Sequence, residues 1–195
     1  MIRTISRLSC WALAGLLASG GTPRPSTHIN QQAELFKEFS DRVKKYVKLQ
    51  KSVEGKLRPL PEKAAAPTIA AHREALAKAI RAGRADARPG DIFFAEVQPL
   101  FKRIIQNNLH GPHGKDELKA LRTGNPRIDG NPTEIHVSVN ALYPSSEPLS
   151  TVPPGLLLSL PDLPEGINYR LIGRDLVLTD SKAALILDFI RGVIP

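Results

Sequence analysis

The spacing of apolar residues changes at Asn131-Pro132, and this change constrains the fold more than any other feature of the chain. Before it, apolar residues recur every three or four positions, which is the period of an amphipathic helix. After it, short segments rich in β-branched residues lie between turn residues, as strands do. The sequence therefore predicts an α+β fold: a basic N-terminal helical hairpin or bundle over residues 21–130, then a small β-α-β-β-α unit with a short antiparallel sheet over residues 131–195. The pattern leaves open whether the two regions form one cooperative domain.

The first predicted helix has an apolar stripe on one face and lysines on the other. Pro59 and Pro61 follow the stripe and end the helix. A stripe of this length packs on its own domain, forms a coiled coil that makes a homo-oligomer, or lies on a membrane surface. The stripe consists of Phe36, Phe39, Val43, Tyr46, Val53 and Leu57, with the polar Gln50 at one position. The opposite face carries Lys37, Lys44, Lys45, Lys48 and Lys51.

Three further helices are predicted before the change of pattern. The alanine-rich segment Ala64–Ala87 has a narrow apolar edge and is followed by Pro89-Gly90. Asp91 is placed to cap a third helix, in which Pro99 either causes a kink or begins a second segment at its own first turn. The fourth helix is short and covers Lys115–Arg122.

The C-terminal region is predicted to contain both strands and helices. Gly173-Arg174 provides a hairpin turn, so that Tyr169 and Leu171 share one face of the first hairpin strand while Arg170 and Ile172 share the other. The last helix is apolar almost all round, which indicates a buried element capped by Asp180 or Ser181. In order, the predicted elements are a strand at Glu134–Asn140, a short helix or turn at Leu156–Leu160, strands at Ile167–Ile172 and Asp175–Thr179, and a helix at Lys182–Arg191.

The first twenty residues have the three-part organisation of a signal peptide. Arg3 and Arg7 precede a short apolar run, Leu8–Ala18, and small residues follow at Ser19-Gly20. A transmembrane helix needs about 20 apolar residues, more than this run supplies. We therefore predict export to the bacterial periplasm or exterior, with residues 1–20 removed and no transmembrane span left. An N-terminal anchor or a buried helix is the alternative. Cys10, the only cysteine, lies in this segment, so the mature chain would have no disulfide and no thiolate ligand.

Charge is distributed unevenly over the chain. Residues 21–130 contain 21 Lys and Arg against 12 Asp and Glu, whereas residues 131–195 contain 4 against 7. A protein that is exported does not meet nucleic acid as its usual partner, so the basic region predicts an anionic envelope polymer, lipid headgroups or an acidic protein instead. The alternative is a solvated lysine-rich surface without a specific partner.

The most suggestive candidate for chemistry is the loop around two histidines. His110 and His113 lie in a glycine- and proline-rich segment, with Asp116, Glu117 or His136 available to complete a metal site. Glycine and proline also make this segment a good surface turn between helices. The chain has no G-x-S-x-G pentapeptide, phosphate-binding loop or dinucleotide fingerprint, and no cofactor is predicted. A small periplasmic hydrolase or metal-dependent enzyme using this loop is the second hypothesis of function.

The first hypothesis is a non-enzymatic binding or interaction module. Its contact residues would be the five lysines of the first helix. Arg170 and Arg174 are further candidates for binding, although strand arginines more often form structural ion pairs, here with Asp175, Asp180 or Asp188.

Three motifs occur together in the chain. They are P-G-D-I-F at Pro89–Phe93, L-P-x-L-P-x-G at Leu160–Gly166 and Y-R-x-x-G-R-D-L-x-L-x-D at Tyr169–Asp180. This combination resembles a family of exported bacterial proteins that has no assigned activity. The resemblance covers the C-terminal half to two-thirds of the chain. It implies export and a shared fold, and it implies no catalytic residue.

Overall fold

The computed structural model describes residues 26–125, 127–129, 137–144 and 152–194. Within them, helices come first and a three-stranded antiparallel sheet follows, which confirms the predicted α+β class with N-terminal helices. The elements are α1 (Ser26–Glu54), α2 (Ala66–Gly83), α3 (Gln98–His110), α4 (Gly114–Gly124), α5 (Pro154–Leu157), β1 (Ile167–Ile172), β2 (Asp175–Asp180) and β3 (Leu185–Ile190).

The helices follow their sequence signals closely. The apolar stripe of α1 is buried against the rest of the chain, as the first of the three interpretations predicts. Helix α2 packs on α1 where Gly83 approaches Leu49, since a Cβ at position 83 would lie 2.9 Å from Leu49 Cδ1. Residues 91–97 form turns rather than helix, and α3 begins with Pro99 in its first turn. The predicted start of this helix at Asp91 is therefore wrong, whereas the helix that begins with Pro99 in its first turn is confirmed.

The predicted hairpin is present with the predicted turn. Strands β1 and β2 pair from Ile172↔Asp175 to Ile167↔Asp180, and Gly173 in the turn has a φ of 56°. Tyr169 and Leu171 face the main core while Ile172 joins a smaller cluster on the other side of the sheet, so the predicted assignment of faces is confirmed.

The predicted last helix, Lys182–Arg191, is wrong, because this segment contains β3. Asp180 does accept hydrogen bonds from the backbone N–H groups of Lys182 and Ala183, as a helix cap would. Ala184 then adopts a φ of 52°, and the chain turns back to pair with β2. Both faces of β3 are covered, so all its residues except Asp188 are apolar, and their periodicity does not distinguish a strand from a buried helix.

The predicted strand Glu134–Asn140 is not confirmed. Glu134–His136 lies outside the described residues, and Val137–Asn140 is irregular backbone ending at Asn140, which has a φ of 65°. That left-handed conformation interrupts an extended strand. Asn140 instead joins α2 to β3, because its carbonyl accepts a bond from Arg81 Nε at 2.8 Å and its backbone N–H donates to the carbonyl of Ile186 at 2.9 Å.

Helices and sheet share one hydrophobic core. Its centre is a group of aromatic rings, in which Phe39 of α1 stacks on Phe93 at 5.3 Å between centroids and lies 5.1 Å from Phe101 of α3. Tyr169 of β1 lies 6.0 Å from the ring of Phe101. The stripe of α1 is therefore packed against the sheet and is not free to form a coiled coil in this conformation.

Candidate functional site

The lysine face of α1, defined as Lys37, Lys44, Lys45, Lys48 and Lys51, is exposed along its whole length. Phe39, Val43 and Tyr46 are buried on the other side of the same helix. The helical period therefore places the five ammonium groups on the surface that points away from the core.

Ion pairs on this face involve its N-terminal end. Lys37 Nζ lies 2.8 Å from Asp41 Oδ2, and Lys44 Nζ lies 3.5 Å from Asp41 Oδ1. The hydrogen bond from Lys37 lowers the pKa of the Asp41 carboxyl, and the same bond raises the pKa of Lys37. Among the described residues, Lys45, Lys48 and Lys51 have no ion-pair partner. The C-terminal half of the face thus presents uncompensated positive charge to solvent.

Of the two arginines of the hairpin, Arg174 forms a hydrogen bond to the backbone of the helical region. Arg174 Nε donates to the carbonyl of Ile128 at 3.2 Å, which ties the β1–β2 turn to the end of the helical region. Asp175, one of the carboxylates predicted to pair with these arginines, pairs instead with Arg191. Binding by Arg170 and Arg174 stays a prediction.

Asp188 of β3 is a fully buried carboxylate held by backbone N–H groups. Its Oδ2 accepts bonds from Ile92 and Phe93, each at 2.8 Å. Its Oδ1 accepts bonds from Gly90 at 3.0 Å and from its neighbour Phe189 at 2.9 Å. Four N–H donors therefore bind the carboxylate, and three of them join the strand to a loop nearly a hundred positions earlier.

The loop that surrounds Asp188 is the P-G-D-I-F motif, Pro89–Phe93. Gly90 has a φ of 91°, which favours glycine, and this conformation is the one in which its N–H donates to Asp188. Asp91 closes the loop by accepting a bond from the N–H of Arg88 at 2.8 Å. The motif therefore forms a loop whose backbone N–H groups bind the buried carboxylate of Asp188.

Asp180, the last residue of the longest motif, has a similar role at the other end of the sheet. Its Oδ2 accepts bonds from Tyr46 Oη at 2.6 Å and from Gln50 Nε2 at 2.7 Å, both on α1. Its Oδ1 accepts bonds from the N–H groups of Lys182 and Ala183. Burial raises the pKa of Tyr46, and the charge of Asp180 raises it further. The polar position in the stripe of α1, Gln50, is thus a partner of this carboxylate.

Sequence reasoning missed these roles because each carboxylate binds groups more than ninety positions away. The only signals were the motifs themselves and the polar Gln50 within an apolar stripe. Both carboxylates are buried and fully occupied by donors of the chain, so they are structural groups.

The two histidines lie on either side of a tight turn between α3 and α4. His110 is the last residue of α3, with Nδ1 2.7 Å from the carbonyl oxygen of Gln106, and His113 immediately precedes α4. The turn is confirmed. It is closely packed, since a Cβ on Gly114 would lie 1.9 Å from the carbonyl oxygen of Leu109.

The metal role of this loop stays a prediction. His136 lies outside the described residues, and Glu117 packs against α5, where a Cβ on Gly155 would meet its Oε1. In the ranges that the structure describes, no three His, Cys, Asp or Glu side chains come together as a metal site would require.

Comparison of the chain with protein-family models, with curated proteins and with solved structures finds no match. Among the described helices, none combines the length and the apolar character that crossing a membrane demands.

Proposed function

We propose that the chain is an exported, non-enzymatic binding module whose lysine face on α1 contacts an anionic polymer of the bacterial envelope. The observation that carries the proposal is the placement of five exposed lysines on one face of a long helix, three of them without an ion-pair partner among the described residues. The signal-like N-terminus supports export, and the uneven charge of the chain supports an anionic partner.

The geometry of the face favours an extended partner. Lys44, Lys48 and Lys51 follow one another at helical spacing along the exposed side of α1. At 1.5 Å rise per residue, Lys44 and Lys51 are about 10 Å apart along the axis. A flexible polymer with regularly spaced negative charges can follow such a row, whereas a compact anion can neutralise only part of it.

The proposal is tested with dextran sulfate as the probe and uncharged dextran of the same length as its control. The protein should bind dextran sulfate and not uncharged dextran. The affinity for dextran sulfate should fall as salt is added, because exposed charges are screened. Replacing Lys44, Lys45 and Lys48 together by glutamine should weaken binding about a hundredfold at low salt, because each lysine near an anionic surface contributes about 1 kcal/mol.

A matched triple variant controls for net charge. Lys78, Lys115 and Lys119 are also exposed but lie on α2 and α4, and replacing them by glutamine removes the same total charge. Equal weakening in both triple variants would mean that net charge, and not this face, is responsible. Recovery of the protein from the periplasm with a mass lacking about twenty N-terminal residues would support export.

A further inference from the structure

A groove of about 700 Å³ opens between the C-terminal end of α1, the start of α2 and the turn between β2 and β3. Its volume falls within the range of pockets that hold small molecules. Pro59 forms part of its wall, in the segment that connects α1 to α2. The fixed φ of proline helps to make such a wall rigid before any ligand arrives.

The floor of the groove is apolar and partly open to solvent. Leu76 is buried at its base, while Leu60 and Ile69 remain 41% and 40% exposed. Large apolar side chains this exposed are few among the described residues, and two of them meet in this groove. Covering them with a hydrocarbon chain would remove apolar surface from water, which is favourable in proportion to the area covered.

The rim of the groove is positively charged. Lys51, Arg73 and Lys182 line it together with a single carboxylate, Glu54. Lys182 Nζ lies 3.1 Å from Glu54 Oε2, so that pair is neutral. Lys51 and Arg73 are exposed and have no ion-pair partner in the part of the chain that the structure describes. An anionic group at the rim would therefore meet two uncompensated cations.

We infer that this groove binds a free single-chain amphiphile with one anionic headgroup, the chain on Leu60 and Ile69 and the headgroup at Lys51 and Arg73. The complementary charge of the rim selects an anion, and the apolar floor selects a hydrocarbon tail. A free molecule is favoured over a lipid in a bilayer because the lining comes from three separate elements and includes the buried Leu76, which a flat membrane surface does not reach. The site adjoins the polymer contact proposed above and shares Lys51 with it, whereas Leu60, Ile69 and Arg73 belong to the groove alone.

Dodecanoate is the probe, added below the concentration at which it forms micelles, and binding is followed by titration calorimetry. The inference predicts saturable binding of one molecule per chain. Acetate, which has the headgroup alone, and dodecyl maltoside, which has the tail with a neutral headgroup, should each bind at least about tenfold more weakly, since each makes only one of the two kinds of contact. No saturable binding of dodecanoate, or equal binding of dodecyl maltoside, would overturn the inference.

Single substitutions test whether dodecanoate binds in this groove. Ile69→Asn and Leu60→Asn should each weaken dodecanoate binding about fivefold, because each removes apolar surface that the tail covers. Arg73→Gln should weaken it about threefold and make the affinity less dependent on salt. Leu158→Asn is the matched apolar control, since Leu158 is 88% exposed and outside the groove. Lys78→Gln is the matched cationic control.

The outcomes separate this inference from the proposed function. The Lys44, Lys45 and Lys48 triple variant should weaken dextran sulfate binding and leave dodecanoate binding unchanged. Ile69→Asn should weaken dodecanoate binding and leave dextran sulfate binding unchanged. Equal affinity of wild type and Ile69→Asn for dodecanoate would place the ligand elsewhere. Binding to dodecanoate-containing vesicles without binding to monomeric dodecanoate would show a membrane contact and overturn the inference.

Discussion

Asp188 offers a sharp test of how the helical region and the sheet are held together. In Asp188→Asn, one of the two carboxylate oxygens becomes an NH₂ group of nearly the same size. If the NH₂ replaces Oδ2, it faces the N–H groups of Ile92 and Phe93, and if it replaces Oδ1, it faces those of Gly90 and Phe189. In either orientation a donor is placed against two backbone donors that cannot rotate.

The expected cost follows from the bonds that are lost. A hydrogen bond to a charged group contributes about 1.5–3 kcal/mol, and either orientation of the asparagine loses two. The substitution should therefore lower the free energy of unfolding by about 3–6 kcal/mol, a large part of the total for a typical domain.

Asp180→Asn provides a comparison in which the same change should cost less. The partners of Oδ2 are the hydroxyl of Tyr46 and the amide of Gln50, and both can reverse their roles by rotating so that they accept a bond from the new NH₂. We expect a loss of about 1–2 kcal/mol. Because both carboxylates are fully buried, the difference in stability loss between the two variants tests whether fixed backbone donors cost more than side-chain donors that can rotate.

The assay is urea unfolding followed by far-ultraviolet circular dichroism, with tyrosine absorbance as a second probe of the core. The single tryptophan, Trp11, lies in the predicted signal segment, so tryptophan fluorescence does not serve here. Asp86→Asn, at an exposed position, is the control and should change stability little. If Asp188→Asn were as stable as Asp86→Asn, or lost less free energy of unfolding than Asp180→Asn, the proposed role of the N–H donors around Asp188 would be refuted.

Two further predictions concern the turn between α3 and α4 and the buried tyrosines. Gly114→Ala should destabilise the protein by about 1–3 kcal/mol, because its Cβ would overlap the carbonyl of Leu109, whereas Gly124→Ala should not, since an added Cβ there meets nothing within 4 Å. Thermal unfolding of the two variants makes the comparison, and equal melting temperatures would contradict it. Burial raises the pKa of Tyr46 and of Tyr169 above the ordinary value of 10.0. Their contribution to stability is thus complete below about pH 10 and is lost as the pH rises, because the unfolded chain ionises first. Above pH 10, each buried tyrosine should make the free energy of unfolding fall by about a further 1.4 kcal/mol per pH unit. In urea titrations at several pH values, Tyr46→Phe should therefore lose stability less steeply with pH than the wild type. An equal slope in the two proteins would contradict the prediction.

The helical region was predictable because its signals are local. The stripe of α1 has a regular period, Pro59 and Pro61 follow its end, and Pro99 stands at the start of α3. The hairpin of β1 and β2 was predictable for the same reason, since Gly173 marks its turn.

The parts that failed depend on distant contacts. Strand β3 is covered on both faces, so its apolar residues carry no period, and only pairing with β2 decides that it is a strand. The partners of Asp180 and Asp188 lie far away in sequence, and no local pattern identifies them. The groove is invisible to sequence reasoning for the same reason, because Leu60, Ile69 and Lys182 come from three separate segments.

The most direct test of the proposed function is a map of where dextran sulfate binds. Amide chemical-shift changes should be recorded across the isotopically labelled protein during titration with the polymer. The largest changes should cluster on α1 between Lys44 and Lys51 and disappear in the Lys44, Lys45 and Lys48 triple variant. Changes centred on Lys115 and Lys119 of α4, or spread over all exposed lysines, would contradict the proposal that the lysine face of α1 is the binding surface.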